Sequence, residues 1–478
     1  MPIPADILAV ERPKSTRVLF SMGRYLVIKR TSKRVNGRTV PVDLGTIGEI
    51  KDGKYVEIRK EPRKSKDGRK TIEIKDYGEV ALCDKAGKDL LNDLEKIYDP
   101  AEAKRIYVIA LLRSANHDIK NRDIQLAYET SFASEMYPNV HLSENTVSTF
   151  LESIGMAYSK ISTFMRKRVE KFGGKEIVID GMLKDCNSDT DTFSEFSRKG
   201  SKKGSKDLSL IYAYDTQSKE PVAVKPYPGN MLDLTGVEDF IEEYQVKSGI
   251  VVMDKGFYGP DAIKTIKGKK GLAYVIPLKQ SSKKITENEM DKDISSLLVE
   301  YKDSHIFWKK KKISDDCYLY AFRNPTDAYD QEIGYITRTR KKGTYSEEKY
   351  LEKQSEFGLI VFESNVDLSP FEVYEAYSKR WEIEVMFDFY KNIVELSKVR
   401  VHGDYRVYST EFINFLSIII SCRVKKILFE SGLSSKYSYK QIFNYLAKAK
   451  KVRIGTDLSW HSSKTVKYIS DLLLSLGI

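Results

Sequence analysis

The sequence predicts an α/β protein: a mixed sheet covered by helices, interrupted by a β-rich insertion. A basic β-rich and then helical N-terminal region precedes this core, and a helical C-terminal region follows it. Three observations carry the expectation. Between residues 176 and 278, apolar runs and helical stretches alternate as strand, strand, strand, helix, strand, helix, strand. The hydrophobic period changes from strand-like to helical near residue 86, and back to helical again after a second β-rich stretch ends near residue 365. A chain of 478 residues also exceeds one core, at about 100–200 residues per domain. The expected segments are 1–85 (basic, β-rich), 86–172 (helical), 173–279 (core, first part), 280–365 (β-rich insertion), 366–400 (core, final helix) and 401–478 (helical).

Composition excludes several classes. With 41% hydrophobic and 31% charged residues the chain is globular rather than disordered. Cys83, Cys186, Cys317 and Cys422 lie far apart and form no CxxC, which excludes a disulfide scaffold and a zinc finger. The run FINFLSIII (412–420) is too short for a bilayer, which needs about 20 residues. Early charges, Asp6 and Glu11, replace a signal-peptide apolar stretch. A cytoplasmic protein is expected, with no membrane partner.

The N-terminal element is justified by charge and turns. Residues 1–75 hold 19 Lys+Arg against 9 Asp+Glu, so ten of the chain's +12 formal charges lie there. That excess fits either a polyanion such as nucleic acid or a solvated Lys-rich surface. Asn36-Gly37 between RYLVIKRTSKRV (24–35) and RTVPVDLGTI (38–47) signals a hairpin. A second hairpin is expected from 54–60 and 70–76 through Lys66-Asp67-Gly68.

Helical patterns follow at 101–114, 122–133, 145–155 and 157–172, with Ser143 placed to cap the third. They fit a DNA-reading helix-turn-helix or a plain bundle. In the core, EIVIDG (176–181), DLSLIYAYD (207–215), PVAVKPYPG (221–229), GIVVMD (249–254) and LAYVIPL (272–278) read as strands. A helix over 235–245 has Thr235 and Glu238 in capping-box positions. In the insertion, 306–313, 317–322, 332–338 and 357–363 read as strands. The last core element reads as one helix over 369–396.

Two of these strands are expected to end on an acid, Asp180 and Asp254, and ligands of open α/β sheets gather at strand carboxyl ends. A lone acid after an apolar run is costly unless paired or bound to a cation; the alternative is an Asp opening a turn. On the final helix, Tyr377, Arg380, Glu384 and Lys391 make one stripe, either a metal-and-phosphate face or a solvated ion-paired one. Asp388 is a rival acid one turn on, and Glu382 points to the opposite side. Three carboxylates without His or Cys suit Mg²⁺ or Mn²⁺, and two such ions suit phosphodiester chemistry.

With these residues in view, the chain resembles the insertion-sequence DDE transposases with a ribonuclease H-like core and a YREK signature. That signature (Tyr, two residues, Arg, three residues, Glu, six residues, Lys) is matched by Tyr377, Arg380, Glu384 and Lys391. Asp254-Lys255-Gly256-Phe257 resembles the motif around the family's second acid, and Asp180-Gly181 its first. The resemblance covers about 173–400. It implies that Asp180, Asp254 and Glu384 are catalytic and hold two divalent ions, with Asp180 bridging them. It further implies that Tyr377, Arg380 and Lys391, with Lys255, contact DNA at the transposon end. The family often has a small hydroxyl residue where this chain has Met182, so no auxiliary contact is carried over there. In the best-known members the insertion stacks aromatic residues on a flipped base. Trp308, beside Lys309–Lys312, suits that role or that of a packed strand residue.

The loop SRKGSKKGSK (197–206) fails the GxxxxGK[ST] spacing, so no nucleotide triphosphate site is expected. Its Arg198, Lys199, Lys202 and Lys203, like RTRKK (338–342), are candidate phosphate contacts or merely solvated, and His402 shows no partner. The expected function is a cut-and-paste DNA transposase, nucleoid-associated and working as a homodimer in a synaptic complex. It would bind terminal inverted repeats, cleave with Mg²⁺ and transfer the freed strand to target DNA. The rivals are a stand-alone metal-dependent nuclease of this fold and a catalytically silent, transposase-derived DNA-binding protein.

Overall fold

The computed structural model describes residues 3–21, 23–35, 38–57, 72–172, 176–186, 188–196, 204–231, 233–254, 260–269, 271–299, 305–392, 398–455 and 458–478. Contacts divide the chain into two compact units, Met1–Ile72 with Ile454–Thr456, and Glu73–Arg453 with Asp457–Ile478.

The first unit holds α1 (Ala5–Ala9), β1 (Thr16–Ser21), β2 (Arg24–Val35), β3 (Arg38–Lys51) and β4 (Lys54–Glu57). The strands form an antiparallel sheet in sequence order over a small core of Val18, Val27 and Ile50. The β2–β3 hairpin closes with Val35 opposite Arg38, its Asn36-Gly37 turn lying outside the described residues.

The second unit opens with β5 (Ile72–Asp76), α2 (Gly78–Glu95), α3 (Pro100–Ala115), α4 (Ile124–Thr130), α5 (Ala133–Met136), α6 (Glu144–Met156) and α7 (Tyr158–Phe172). Then come β6 (Glu176–Asp185), β7 (Glu195–Phe196), β8 (Lys206–Asp215), β9 (Glu220–Pro228), α8 (Asp233–Glu243), β10 (Gly249–Val252), α9 (Pro260–Lys267) and β11 (Leu272–Pro277). Next are α10 (Lys283–Glu287), β12 (Ser296–Leu297), β13 (Phe307–Ser314), β14 (Cys317–Arg323), α11 (Pro325–Lys341), α12 (Glu347–Gln354) and β15 (Leu359–Ser364). The chain finishes with α13 (Pro370–Lys379), α14 (Trp381–Asn392), α15 (Asp404–Glu430), α16 (Tyr439–Leu446), β16 (Lys450–Ile454), β17 (His461–Ser462) and α17 (Lys467–Leu476).

A large mixed sheet organises this unit in the order β12-β13-β14-β15-β11-β10-β6-β8-β7, with β9 also on β8. Strands β10 and β11 run parallel to β6, while β8 is antiparallel to β6 and β9 antiparallel to β8. Strands β12 to β15 extend the same sheet through the β11–β15 pairing. Helix α15 packs on α2, α3, α6, α7 and β9, which explains why Phe412–Ile420 is so apolar: that stretch is buried. No helix among the described residues is long and apolar enough to cross a membrane.

Several local expectations are corrected. Among the described residues of the expected second hairpin, 54–60 with 70–76, β4 and β5 do not pair: β4 lies on β3, and β5 joins β16 and β17. Glu73 meets Arg453 at 2.5 Å and Asp76 meets Lys450, partners at the far end of the chain that no local pattern reveals. The Lys66-Asp67-Gly68 turn lies outside the described residues. EIGYITR (332–338) is helical inside α11, because Asn324 caps and Pro325 starts that helix just upstream. Thr235 lies inside α8, which begins at Asp233, and so not at the N-cap position expected for it. The expected helix 369–396 is two, meeting at Arg380. There Arg380 N–H bonds to Tyr377 O at 3.0 Å and Ile383 N–H to Arg380 O at 3.1 Å, a tightened i→i−3 turn. The Ser143 cap is present, accepting from Thr146 N–H at 3.4 Å.

Helices α6 and α15 approach so closely at Gly155 that a Cβ there would lie 1.8 Å from the Tyr405 carbonyl oxygen. Backbone on both sides leaves no side chain to yield. Gly155→Ala is therefore expected to lower stability by about 1–3 kcal/mol, read as a reduced urea midpoint.

Candidate active site

The site is built where the parallel ladder ends. Strand β10 pairs Val252 with Val178 of β6, and two residues further along each chain come Asp254 and Asp180. Strand β6 continues against β8 with Asp180 opposite Tyr212, so Asp180 sits within a strand and not at its end as expected. The apolar run ended on the sequence signal, but the pairing with β8 did not.

The α13–α14 junction faces Asp180. Ser369 and Glu372 close a capping box that starts α13, and the turn at Arg380 starts α14. Arg380 Nη1 donates to Asp180 Oδ2 at 3.1 Å, while the Gly181 N–H donates to Oδ1 at 2.8 Å. Arg380 also holds Glu384 one turn along, and its guanidinium lies 5.4 Å over the Tyr377 ring. Tyr377 in turn packs 4.6 Å from Phe362 of β15.

Electrostatics join Asp254 to the same cluster. Burial pushes the Asp180 carboxyl up to about 6, with the charges of Asp254 and Glu384 adding to it against Arg380 and the Gly181 amide. Burial also raises the Tyr377 phenol, helped by Asp254 and Glu384 and opposed by Arg380. Burial disfavours the Arg380 charge, yet Asp180, Tyr377, Glu384 and Asp254 together hold its pKa above the ordinary value.

The family model for the transposase DDE domain matches this chain over residues 171–420, more than half its length. The chain belongs to that family. No curated protein matches it. Among solved structures, a cryo-EM piggyBac transposase synaptic complex with hairpin DNA aligns at 11% sequence identity. The alignment covers 83% of this chain and 85% of that one, with a TM-score of 0.38.

In this DDE transposase the matched span contains all three acids, but not every expected residue joins them. Lys391 acts on Asp207 instead. Asp388 is exposed and accepts from Asn392 at 2.6 Å. Glu382 faces the other way, 3.7 Å from Lys219. Trp308 is half-buried in β13, packed against the main core, and its four lysine neighbours bond to protein oxygens. His402 Nδ1 lies 3.2 Å from Ser188 Oγ. Arg338 and Arg340 sit in the last turn of α11. Lys255, Arg198, Lys199, Lys202 and Lys203 lie outside the described residues.

The donor chemistry fits divalent ions: three carboxylates and no imidazole or thiolate, with burial, and to a lesser degree the charges of Asp254 and Glu384, raising the Asp180 carboxyl when no ion is bound. Among the described residues no set of side chains closes on an ion position. Arg380 instead supplies the positive charge between Asp180 and Glu384.

This arrangement has a pH signature. The Asp180 carboxyl is raised when folded, so the folded chain holds its proton more tightly than the unfolded one. The resulting penalty is absent below pH about 4, grows up to about 6 and is complete above that, reaching about 2–3 kcal/mol. In chelator, Asp180→Asn is expected to exceed wild type in urea stability at pH 7, the difference vanishing near pH 4.

One feature of the transposase escaped sequence reasoning. Lys184 Nζ donates to Glu411 Oε1 at 2.6 Å and to Tyr390 Oη at 2.9 Å, and Tyr390 Oη donates to Glu411 Oε2 at 3.0 Å. The side chains of Lys184 and Glu411 are 1% and 0% exposed. Asn414 links this group to Arg113 of α3 at 2.8 Å. The signal available was a lone acid, Glu411, at the head of an apolar helix run, which demands a buried partner.

Proposed function

We propose that the protein is a cut-and-paste DNA transposase whose catalytic residues are Asp180, Asp254 and Glu384. The observation that carries the reading is their convergence, from a strand, a strand end and a helix, around Arg380 within the family-matched span. The order β9-β8-β6-β10-β11, with its first three strands antiparallel and the rest parallel to β6, supports a ribonuclease H-like core. In this reading 173–279 and 366–400 form that core and 280–365 is its insertion. Residues 1–85 and 86–172 hold the element's terminal inverted repeats, and 401–478 support a homodimer that brings two ends together.

Asp180, Asp254 and Glu384 would hold two divalent ions, Mg²⁺ or Mn²⁺, which when bound activate an attacking oxygen and offset charge on the leaving one. The chain's own residues do the rest. A DNA phosphate competes with the two carboxylates for the Arg380 fork, whose planar donors match phosphate oxygens. The Tyr377 phenol, kept protonated, donates a hydrogen bond to the same phosphate, and Lys391 adds a point charge further along α14. Water attack that frees a 3′-hydroxyl and attack by that hydroxyl on target DNA are both phosphoryl transfers, so one residue set serves both.

The test is incubation of duplex DNA carrying the native element ends with Mg²⁺ and a target plasmid. Cleaved ends and joined products are expected. Cleavage with no joining would reduce the protein to a nuclease, and binding with neither would make it a silent DNA-binding protein.

A further inference from the structure

The β2–β3 hairpin continues well beyond the core that supports it. Its base packs on Val18, Val27 and Ile50. Two register shifts follow, at Val27/Ile28 and at Lys29/Arg30, which leave Ile47 and Leu44 of β3 unpaired. Between them Gly45 takes φ +128°, a conformation open to glycine and strained for other residues. Bulges of this kind bend a strand and increase its twist. Past them, the pairs from Arg30–Asp43 to Val35–Arg38 form a two-stranded ribbon about 17 Å long at about 3.4 Å per residue. The described side chains over 31–34 and 39–44 are all exposed.

A bare ribbon of this length, with Val40 and Val42 left 43% and 37% exposed, is unstable and aggregation-prone unless something covers it. Its chemistry selects the cover. Pairing places Lys33 beside Val40 and Thr31 beside Val42 on one face, and Arg34 beside Thr39 on the other. Asp43, the acid of the ribbon, is already taken by Arg17 at 2.5 Å and Arg30 at 3.1 Å. Cations on both faces, with aliphatic groups between them, complement a surface with phosphates on its two walls and methyl groups on its floor. The major groove of duplex DNA is such a surface, about 12 Å wide and able to admit a two-stranded β-ribbon.

We propose that the β2–β3 ribbon of the first unit is a DNA-reading arm that enters the major groove of a duplex. Lys33 and Arg34 contact the phosphate walls, while Val40 and Val42 face thymine methyl groups. The inference rests on the reading of the chain as a DNA-acting transposase. It concerns a segment outside the family-matched residues 171–420 and has its own readout.

The experiment uses the full chain and short labelled duplexes, one carrying the native element end and one scrambled. For K33A/R34A, affinity for the element end is expected to fall about tenfold or more, and the slope of log K against log salt by about 2. V40T/V42T is expected to narrow the preference for the element end over the scrambled duplex. Guanine N7 methylation, which fills the major groove, should interfere with wild-type binding. K283A/K349A removes two exposed lysines elsewhere and is expected to bind as wild type; an equal loss there would assign the effect to net charge and overturn the arm. Unchanged affinity and slope in K33A/R34A would also overturn it. So would a change confined to self-association by sedimentation, which would make a second copy of the chain the occupant. If K33A/R34A binds normally while wild type cuts DNA, the arm falls and the transposase reading stands. If wild type binds neither duplex, both fall.

Discussion

Glu411→Ala is expected to destabilise the protein by about 3–5 kcal/mol, because it strands a buried ammonium. Lys184 would keep one neutral partner, Tyr390, in a site with no access to water. Burial already pulls the Lys184 pKa below its ordinary value, and Glu411 is the charge that opposes this. The double variant K184M/E411M is expected to lose much less, since no charge is left uncompensated and the methionines refill the space. Urea unfolding of wild type, both single variants and the double completes the cycle, and a coupling energy near zero would contradict the account. The pair matters for the site because of where it sits. Lys184 lies four residues beyond Asp180 on the same face of β6, and Tyr390 six beyond Glu384 in α14. Strand and helix are thus tied at two levels, by Asp180–Arg380 and by Lys184–Tyr390. These levels are about 13 Å apart along the strand and about 15 Å along the helix.

Alanine at Asp180, Asp254 or Glu384 is expected to reduce DNA cleavage by about a thousandfold or more, leaving binding of element ends largely intact. In the proposed reading each would supply an oxygen ligand that no neighbouring side chain replaces: Asp388 is turned to solvent and Glu382 lies on the far side. The effects on stability should run the other way for Asp180. Removing its carboxylate relieves the cost of burying that charge at neutral pH, and with it the repulsion from Asp254 and Glu384. Loss of activity with gain of stability in one variant is the pattern of a functional site held at some cost to the fold. Arg380 gives a further handle, since it pairs with Asp180 and Glu384, two of the carboxylates that would hold the proposed ions.

The mixed sheet was legible from apolar runs such as EIVID and LIYAY, whose burial on both faces leaves little ambiguity about strand identity. The three acids and Arg380 were legible because two lie just past apolar runs and the others share a helical stripe. The rest depended on long-range partners. Strand β5 turned from β4 to β16 because Glu73 and Asp76 find Arg453 and Lys450. The strand-like EIGYITR became helix because a cap and a proline, eight and seven residues earlier, set its phase. Lys391 kept its place on the stripe, but seven residues of helix carried it about 10 Å beyond Glu384 and toward Asp207. The Lys184–Glu411 pair joins residues far apart in the chain, and only tertiary structure brings them together.

The most direct test is single-turnover cleavage of end-labelled duplex carrying the native element end, by wild type and by E384A, with binding to the same duplex measured in parallel. Wild type is expected to cut with Mg²⁺ and to stop in chelator, and E384A to bind the duplex yet leave it whole. Cleavage by E384A at the wild-type rate, or wild-type cleavage undiminished by chelator, would contradict that expectation.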